Sequence, residues 1–195
     1  YYLTPESFLP AFLGKSLYEV LARNEAAIVT ELGLATERVY VPTDDGTRLF
    51  VPEHSQYDLP DEQALGDTFI APVDESSRGV AFQPTGSPLV TEIERALRAG
   101  IATEPEPLAA QLSDALVEQL EIVDSAEPDV DQSAGRASVG VQGSAYGPVD
   151  GFDHPVASTL AVGFCRGLDR PISLTVDATD DDRADYLVTC SWQDP

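Results

Sequence analysis

The sequence predicts an α+β fold in which an antiparallel sheet packs with amphipathic helices. Three observations carry that prediction. Several stretches repeat apolar residues at three- and four-residue steps, several short runs alternate at period two, and turn residues separate the two kinds. With 195 residues, 43% of them hydrophobic, and seven Phe, seven Tyr and one Trp, the chain can bury a sizeable core and is not a disordered acidic tail. No run approaches the ~18 consecutive apolar residues of a membrane span, and no signal-peptide pattern is present.

Thr4-Pro5-Glu6 places an N-cap, a first-turn proline and a first-turn acid in the order that starts a helix. Pro10 predicts a kink or a restart. Leu9, Leu13, Leu17, Leu21, Ile28 and Leu32, with Phe12 and Val20 beside them, predict one buried apolar face, and Gly33 a C-terminal stop. Four strands are expected at Val39-Tyr40-Val41, Arg48-Leu49-Phe50-Val51, Thr68-Phe69-Ile70-Ala71 and Gly79-Val80-Ala81-Phe82, the first two joined as a hairpin through Thr43-Asp44-Asp45-Gly46. Prolines 42, 52, 72 and 84 close these runs, and residues 53–67 read as a surface loop.

Ser87-Pro88 opens a second helix running to Gly100, and Thr103 with Glu106 forms a capping box for a third, which carries Leu108, Leu112, Ala115, Leu116 and Leu120 on one face. Glu121-Ile122-Val123 and Arg136-Ala137-Ser138-Val139-Gly140-Val141 are expected to pair across an acidic loop at 124–135. Asp153 is expected to cap a helix through Pro155, Val156, Leu160, Val162 and Phe164 that ends at Gly167. Ile172–Val176 and Tyr186–Trp192 alternate and predict the closing strands. Residues 1–86 and 87–195 form either two lobes or one packed unit across the short Gly86-Ser87-Pro88 joint.

Charge sets the surroundings. Thirty-four acids against eleven bases give a net charge of −23, with a single lysine (Lys15), a single asparagine (Asn24) and no methionine. Such a surface excludes nucleic acid and anionic membranes as direct partners, because neutralising phosphates needs a basic face. The acids are spread along the whole chain, so a folded surface carries them. That surface repels itself in dilute buffer, but at about 1 M salt the Debye length falls to ~3 Å. The reading is adaptation to a salt-loaded cytoplasm, as in haloarchaea. Residues 1–43 hold five acids against Lys15, Arg23 and Arg38, the least acidic part of the chain. Together with the aromatic pair before Leu3-Thr4-Pro5, this predicts a membrane-proximal start, with the bilayer reached only through a segment that precedes it.

Chemical motifs are sparse. Gly14-Lys15-Ser16 lacks the leading glycine and strand of a phosphate loop, since Leu9 occupies the glycine position. His54 has Glu53 and Ser55 adjacent, and neighbours on an extended chain point apart. Gly143-Ser144-Ala145-Tyr146-Gly147 has the wrong spacing for a nucleophile elbow. His154 stands at a helix N-terminus, where a ligand or anion contact competes with plain space-filling before Pro155. Cys165 and Cys190 are isolated, so neither a disulfide scaffold nor a tetrahedral zinc site is expected. Asp177, Asp180, Asp181, Asp182 and Asp185 lack the glycine and terminal glutamate of a calcium loop and read as solvated surface.

From about residue 105 the order is helix, Glu121-Ile122-Val123, Gly135-Arg136-Ala137-Ser138-Val139, Asp153-His154-Pro155-Val156 leading into Leu160-Ala161-Val162-Gly163-Phe164, then two strands. This stretch resembles the 4-vinyl-reductase-type domain, a small-molecule-binding relative of the TRAPP vesicle-tether subunits. The resemblance implies an α+β ligand-binding or dimerising domain without catalysis of its own. Such domains commonly carry cysteines in the loop joining the last two strands; here residues 177–185 hold none. The whole sequence also resembles the soluble C-terminal part of a haloarchaeal membrane-protein family of unassigned function, in which a coiled coil and membrane spans precede a Tyr-Leu-Thr-Pro-Glu start.

The resulting expectation is a non-enzymatic domain on the cytoplasmic face of the membrane. It would bury a small apolar ligand or a protein partner between helix 154–166 and the sheet, with His154, Tyr146 and Cys165 as the ligand-binding residues. No catalytic residue, metal ligand or cofactor is assigned. The alternatives are a homodimerisation module without ligand and a hydrolase-type enzyme.

Overall fold

The computed structural model describes residues 11–97, 100–180 and 182–192. The expected helix start at Thr4-Pro5-Glu6 and the break at Pro10 lie outside these residues. Helix α1 (Ala11–Glu31) is followed by the hairpin β1 (Val39–Thr43) and β2 (Gly46–Pro52). Then come the single turn α2 (Glu62–Leu65), β3 (Phe69–Ile70), β4 (Gly79–Phe82), α3 (Gly86–Ala96) and α4 (Pro105–Asp114). The order closes with β5 (Ser125–Asp131), β6 (Arg136–Gln142), α5 (Pro155–Leu168), β7 (Ile172–Ala178) and β8 (Tyr186–Ser191).

Eight strands form one sheet in the order β3-β4-β2-β1-β7-β8-β6-β5, and all of its pairings are antiparallel. The fold is therefore α+β. Pairing of Val39 with Ser173 and of Tyr40 with Ile172 joins β1 to β7, so strands from both sides of the Gly86-Ser87-Pro88 joint share one sheet. Helix α5 lies across the middle of one face, with α3 and α4 packed beside it. Val156, Leu160, Ala161 and Phe164 of α5 are fully buried in one core with Tyr40, Leu49, Ile172 and Val188. Alternation sends Val39, Val41 and Phe50 to the other face, into a smaller cluster with Leu65, Ile70 and Ala81. The expected loop at 53–67 thus contains a short helix that supplies Leu65 to this cluster.

Several expectations are corrected. Most of the α1 stripe does not face the core: Leu13, Leu17, Val20 and Leu21 are exposed, whereas Ile28 packs against it and Tyr18, Ala22 and Glu25 are buried. Helix α1 has two arcs able to take apolar contact, and the one lined by the slim Ala22 allows closer approach to the body. Its C-terminus behaves as expected. Gly33 has φ 66°, Leu34 N–H donates to the Val29 carbonyl and Gly33 N–H to that of Thr30, a Schellman closure.

The acidic segment expected as a loop forms β5, whose register with β6 runs from Ser125–Gln142 to Asp131–Arg136. Glu121-Ile122-Val123 is not a strand; Glu121 takes φ 51° after a π-helical turn at Ala115–Gln119. Strand β5 is a sheet edge, where acids and Pro128 are tolerated because one side of the backbone stays in water. Helix α4 starts after Glu104 without a side-chain cap bond, so the expected Thr103–Glu106 box does not form, and Pro105 at the first position starts the helix instead. Helix α3 ends at Ala96, short of Gly100. Helix α5 continues past Gly167 to Leu168 and closes on Asp169, which adopts φ 51°.

Candidate functional site

Segment 143–154 links β6 to α5 and passes under the inner face of α1. Its close fit has an identifiable cause: a Cβ on Gly151 would stand 2.4 Å from the Tyr18 hydroxyl. Tyr18 donates to the Phe152 carbonyl at 3.2 Å. Its ring meets Tyr146 edge-on at 6.2 Å and His154 edge-on at 5.1 Å, and Tyr146 meets His154 at 6.3 Å. Three rings from two segments thus make one aromatic corner.

Asp153 and His154 are both fully buried. Asp153, at φ 43°, is not the helix cap. Its carboxylate accepts from the Tyr40 hydroxyl at 2.8 Å and from Thr85 N–H at 2.6 Å, while its carbonyl accepts from Thr85 Oγ1 at 2.5 Å. It therefore ties β1 and the start of α3 to the start of α5. Burial raises its pKa, against the hydrogen bonds from Thr85, Ser158 and Tyr40. Burial next to this carboxylate also raises the hydroxyl pKa of Tyr40 and of Tyr18.

His154 supplies the cap instead: its Nδ1 accepts from Val156 N–H at 3.2 Å. Because Nδ1 receives a proton donor, the neutral ring carries its hydrogen on Nε2. Nε2 stands 3.4 Å from Ser144 Oγ and can only donate to it. Burial lowers the His154 pKa to about 4, with hydrogen bonding to the Gly147 backbone opposing the shift. Glu25 on α1 is buried toward the same corner, with Oε2 unpartnered. Burial and the neighbouring Asp153 raise its pKa to about 7.

An apolar groove of about 440 Å³ runs beside this corner, lined by Tyr18, Ala22, Ala26, Tyr146, Pro148 and Phe152, with Glu19 and Arg23 at its rim. A smaller space of about 250 Å³ continues past Ala26 and Phe152 toward Val29, Arg38 and Val51. A more polar cleft of about 450 Å³ lies on the other side of the segment, between Ser144, Gly147, Asp185 and Tyr186.

The structure brings two of the three expected ligand residues together. Tyr146 lines the groove, and His154 stands behind it as part of the wall's foundation. Cys165 is three turns farther along α5, roughly 16 Å by helix rise, with its thiol 3.9 Å from Thr47 Oγ1 and its pKa pushed up to about 12 by burial. The expected space between α5 and the sheet is filled by core side chains, so the groove along α1 replaces it. Sequence reasoning missed Tyr18, Glu25, Tyr40 and Thr85. The Tyr18, Ala22, Glu25, Val29 spacing was a legible helical stripe, but the neighbouring leucines outweighed it.

Gly14-Lys15-Ser16 lies within α1, and His54 is exposed in a bend. Among the described residues there is no cluster of His, Cys, Asp or Glu able to hold a metal ion. No helix there is long and apolar enough to cross a membrane.

No curated protein and no solved structure matches the chain. Over residues 1–192, which include the groove, the buried corner and the sheet, the chain fits the family described as a domain of unknown function (DUF7982), and it belongs to that family.

Proposed function

We propose that this chain is a non-enzymatic, cytosol-facing binding domain of a haloarchaeal membrane-anchored protein, and that it takes a small apolar ligand in the groove between α1 and residues 146–152. One observation carries the reading: the 440 Å³ groove has an apolar floor, two aromatic walls and a charged rim, the volume and chemistry of a small-molecule site. The acidic surface supports the salt-loaded setting, and the low charge of residues 1–43 supports attachment on that side.

The hydrolase alternative is disfavoured by a specific geometry. A serine triad needs a histidine nitrogen that accepts the serine proton while an acid holds the other nitrogen. His154 has the reverse arrangement: its Nδ1 accepts from a backbone N–H, its Nε2 faces Ser144 as a donor, and Asp153 turns to Tyr40 and Thr85.

The test uses N-phenyl-1-naphthylamine, a neutral apolar fluorophore, in multimolar KCl. The wild-type chain is expected to bind it, and Ala26→Phe, which fills the groove, to weaken binding at least tenfold with an unchanged circular dichroism spectrum. Absent binding to the wild type, or equal binding to a folded Ala26→Phe variant, overturns the reading.

A further inference from the structure

Helix α1 leaves a second apolar surface. Opposite its docked arc of Tyr18, Ala22, Glu25 and Val29, it exposes Leu13 (38%), Leu17 (65%) and Val20 (49%), with Leu21 (43%) beside them; Asn24 and Ala27 are exposed as well. Positions 13, 17, 20, 24 and 27 follow one another at steps of 4, 3, 4 and 3, the a/d spacing of a coiled-coil seam, with Leu17 and Asn24 at a and Leu13, Val20 and Ala27 at d. The helix is 21 residues long, and the seam from Leu13 to Ala27 spans two heptads of it.

We propose that two copies of this chain associate in parallel through this face of α1. Asn24, the sole asparagine of the sequence, falls on the seam. A single asparagine at an a position selects a two-stranded register, because each amide finds a partner only when the two copies align residue for residue. A parallel pair places Asn24 against Asn24 and stacks Leu17 on Leu17. The antiparallel arrangement sets Asn24 against an apolar layer and leaves it unsatisfied.

Charge and area favour a second copy as the occupant. At a total of −23 the chain repels its own copies over nearly all its surface, yet α1 carries Lys15 and Arg23 against Glu19, Glu25 and Glu31, and Glu25 is turned inward. This face is the least acidic one α1 offers to a second copy, with Glu31 the carboxylate that falls on the seam, at its C-terminal end. The exposed apolar side chains offer roughly 400 Å² per copy, so a pair removes roughly 800 Å² and passes the ~1,000 Å² of a specific interface once Asn24 on the seam and the flanking Ser16 and Thr30 are covered. The groove proposed above lies on a different arc of the helix, so the two readings stand or fall separately.

The test is the mass of the full 195-residue chain in multimolar KCl by sedimentation equilibrium, from micromolar to hundreds of micromolar. A monomer–dimer equilibrium is expected, weakened at least tenfold by Leu17→Asp and by Val20→Asp, each retaining the wild-type circular dichroism spectrum. Asn24→Cys is expected to oxidise to a covalent dimer, because the native Cys165 and Cys190 are buried. A monomer throughout the range overturns the proposal. So does a dimer that survives both aspartates, or one in which Asn24→Cys fails to cross-link. A monomer that sediments with neutral phosphatidylcholine vesicles through the same residues assigns the face to a bilayer instead, and likewise overturns it.

Discussion

Glu25 and His154 approach the same aromatic corner from α1 and α5, and burial favours the neutral form of each. Their contributions to stability have opposite signs in pH. The folded chain holds a proton on Glu25 up to about pH 7, where the unfolded chain releases it near 4.5. Stability is therefore lost as pH rises between those values, by roughly 3 kcal/mol in full. His154 stays neutral down to about pH 4, while the unfolded residue protonates near 6.5, so its contribution is present above 6.5 and lost as pH falls toward 4. Glu25→Gln removes only the first effect. It should leave the melting temperature unchanged near pH 4 and raise it by several degrees above pH 7, equivalent to roughly 2–3 kcal/mol; thermal melts across pH check this. At this scale the sequence was partly legible. His154 could be marked from its place before Pro155, but the cap expected at Asp153 is made by His154, and Asp153 bonds Tyr40 and Thr85 instead. Adjacent residues compete for one cap, and only the positions of Tyr40 and Thr85 decide which of them turns away.

The α3–α5 crossing shows how one small residue sets an element in place. A Cβ at Gly86 would lie 2.3 Å from the Ser158 carbonyl carbon and 2.4 Å from Thr159 N, both backbone. Gly86 N–H also donates to Ser158 Oγ at 2.9 Å. Gly86→Ala should force the two helices apart, breaking that bond and loosening the hold of Asp153 on Thr85, at a cost of about 2–3 kcal/mol. Urea unfolding measures the loss, while Ser87→Ala one residue later should cost under 1 kcal/mol. Elements with strong periodicity were legible: α5, β7 and β8 were expected within a few residues of where they lie. Strand β5 was not, because its Ser-Ala-Glu-Pro-Asp-Val-Asp run has strand-averse residues that only an edge position tolerates. The direction of α1 was not legible either. Two arcs of one helix were both plausible core faces, and the choice rests on how closely segment 143–154 can approach Ala22.

Across the whole molecule, 34 acids and 11 bases surround a main core and a smaller cluster on the opposite face of the sheet. Self-repulsion of that surface should make the fold depend on salt. Circular dichroism should show native secondary structure in multimolar KCl and its loss in dilute buffer, and equal folding in both would remove the halophilic reading. The sequence by itself determined the α+β class, the amphipathic character of its helices, most of the strands and the acidic net charge, because periodicity and net charge are properties of the chain before it folds. Only the tertiary structure decided that β1 pairs with β7, that the α1 leucines face outward, that the space beneath α5 is filled and that the groove lies beside Tyr18 instead. Each of these depends on which of several competing surfaces fit together, and fit is a matter of shape between residues far apart in the chain.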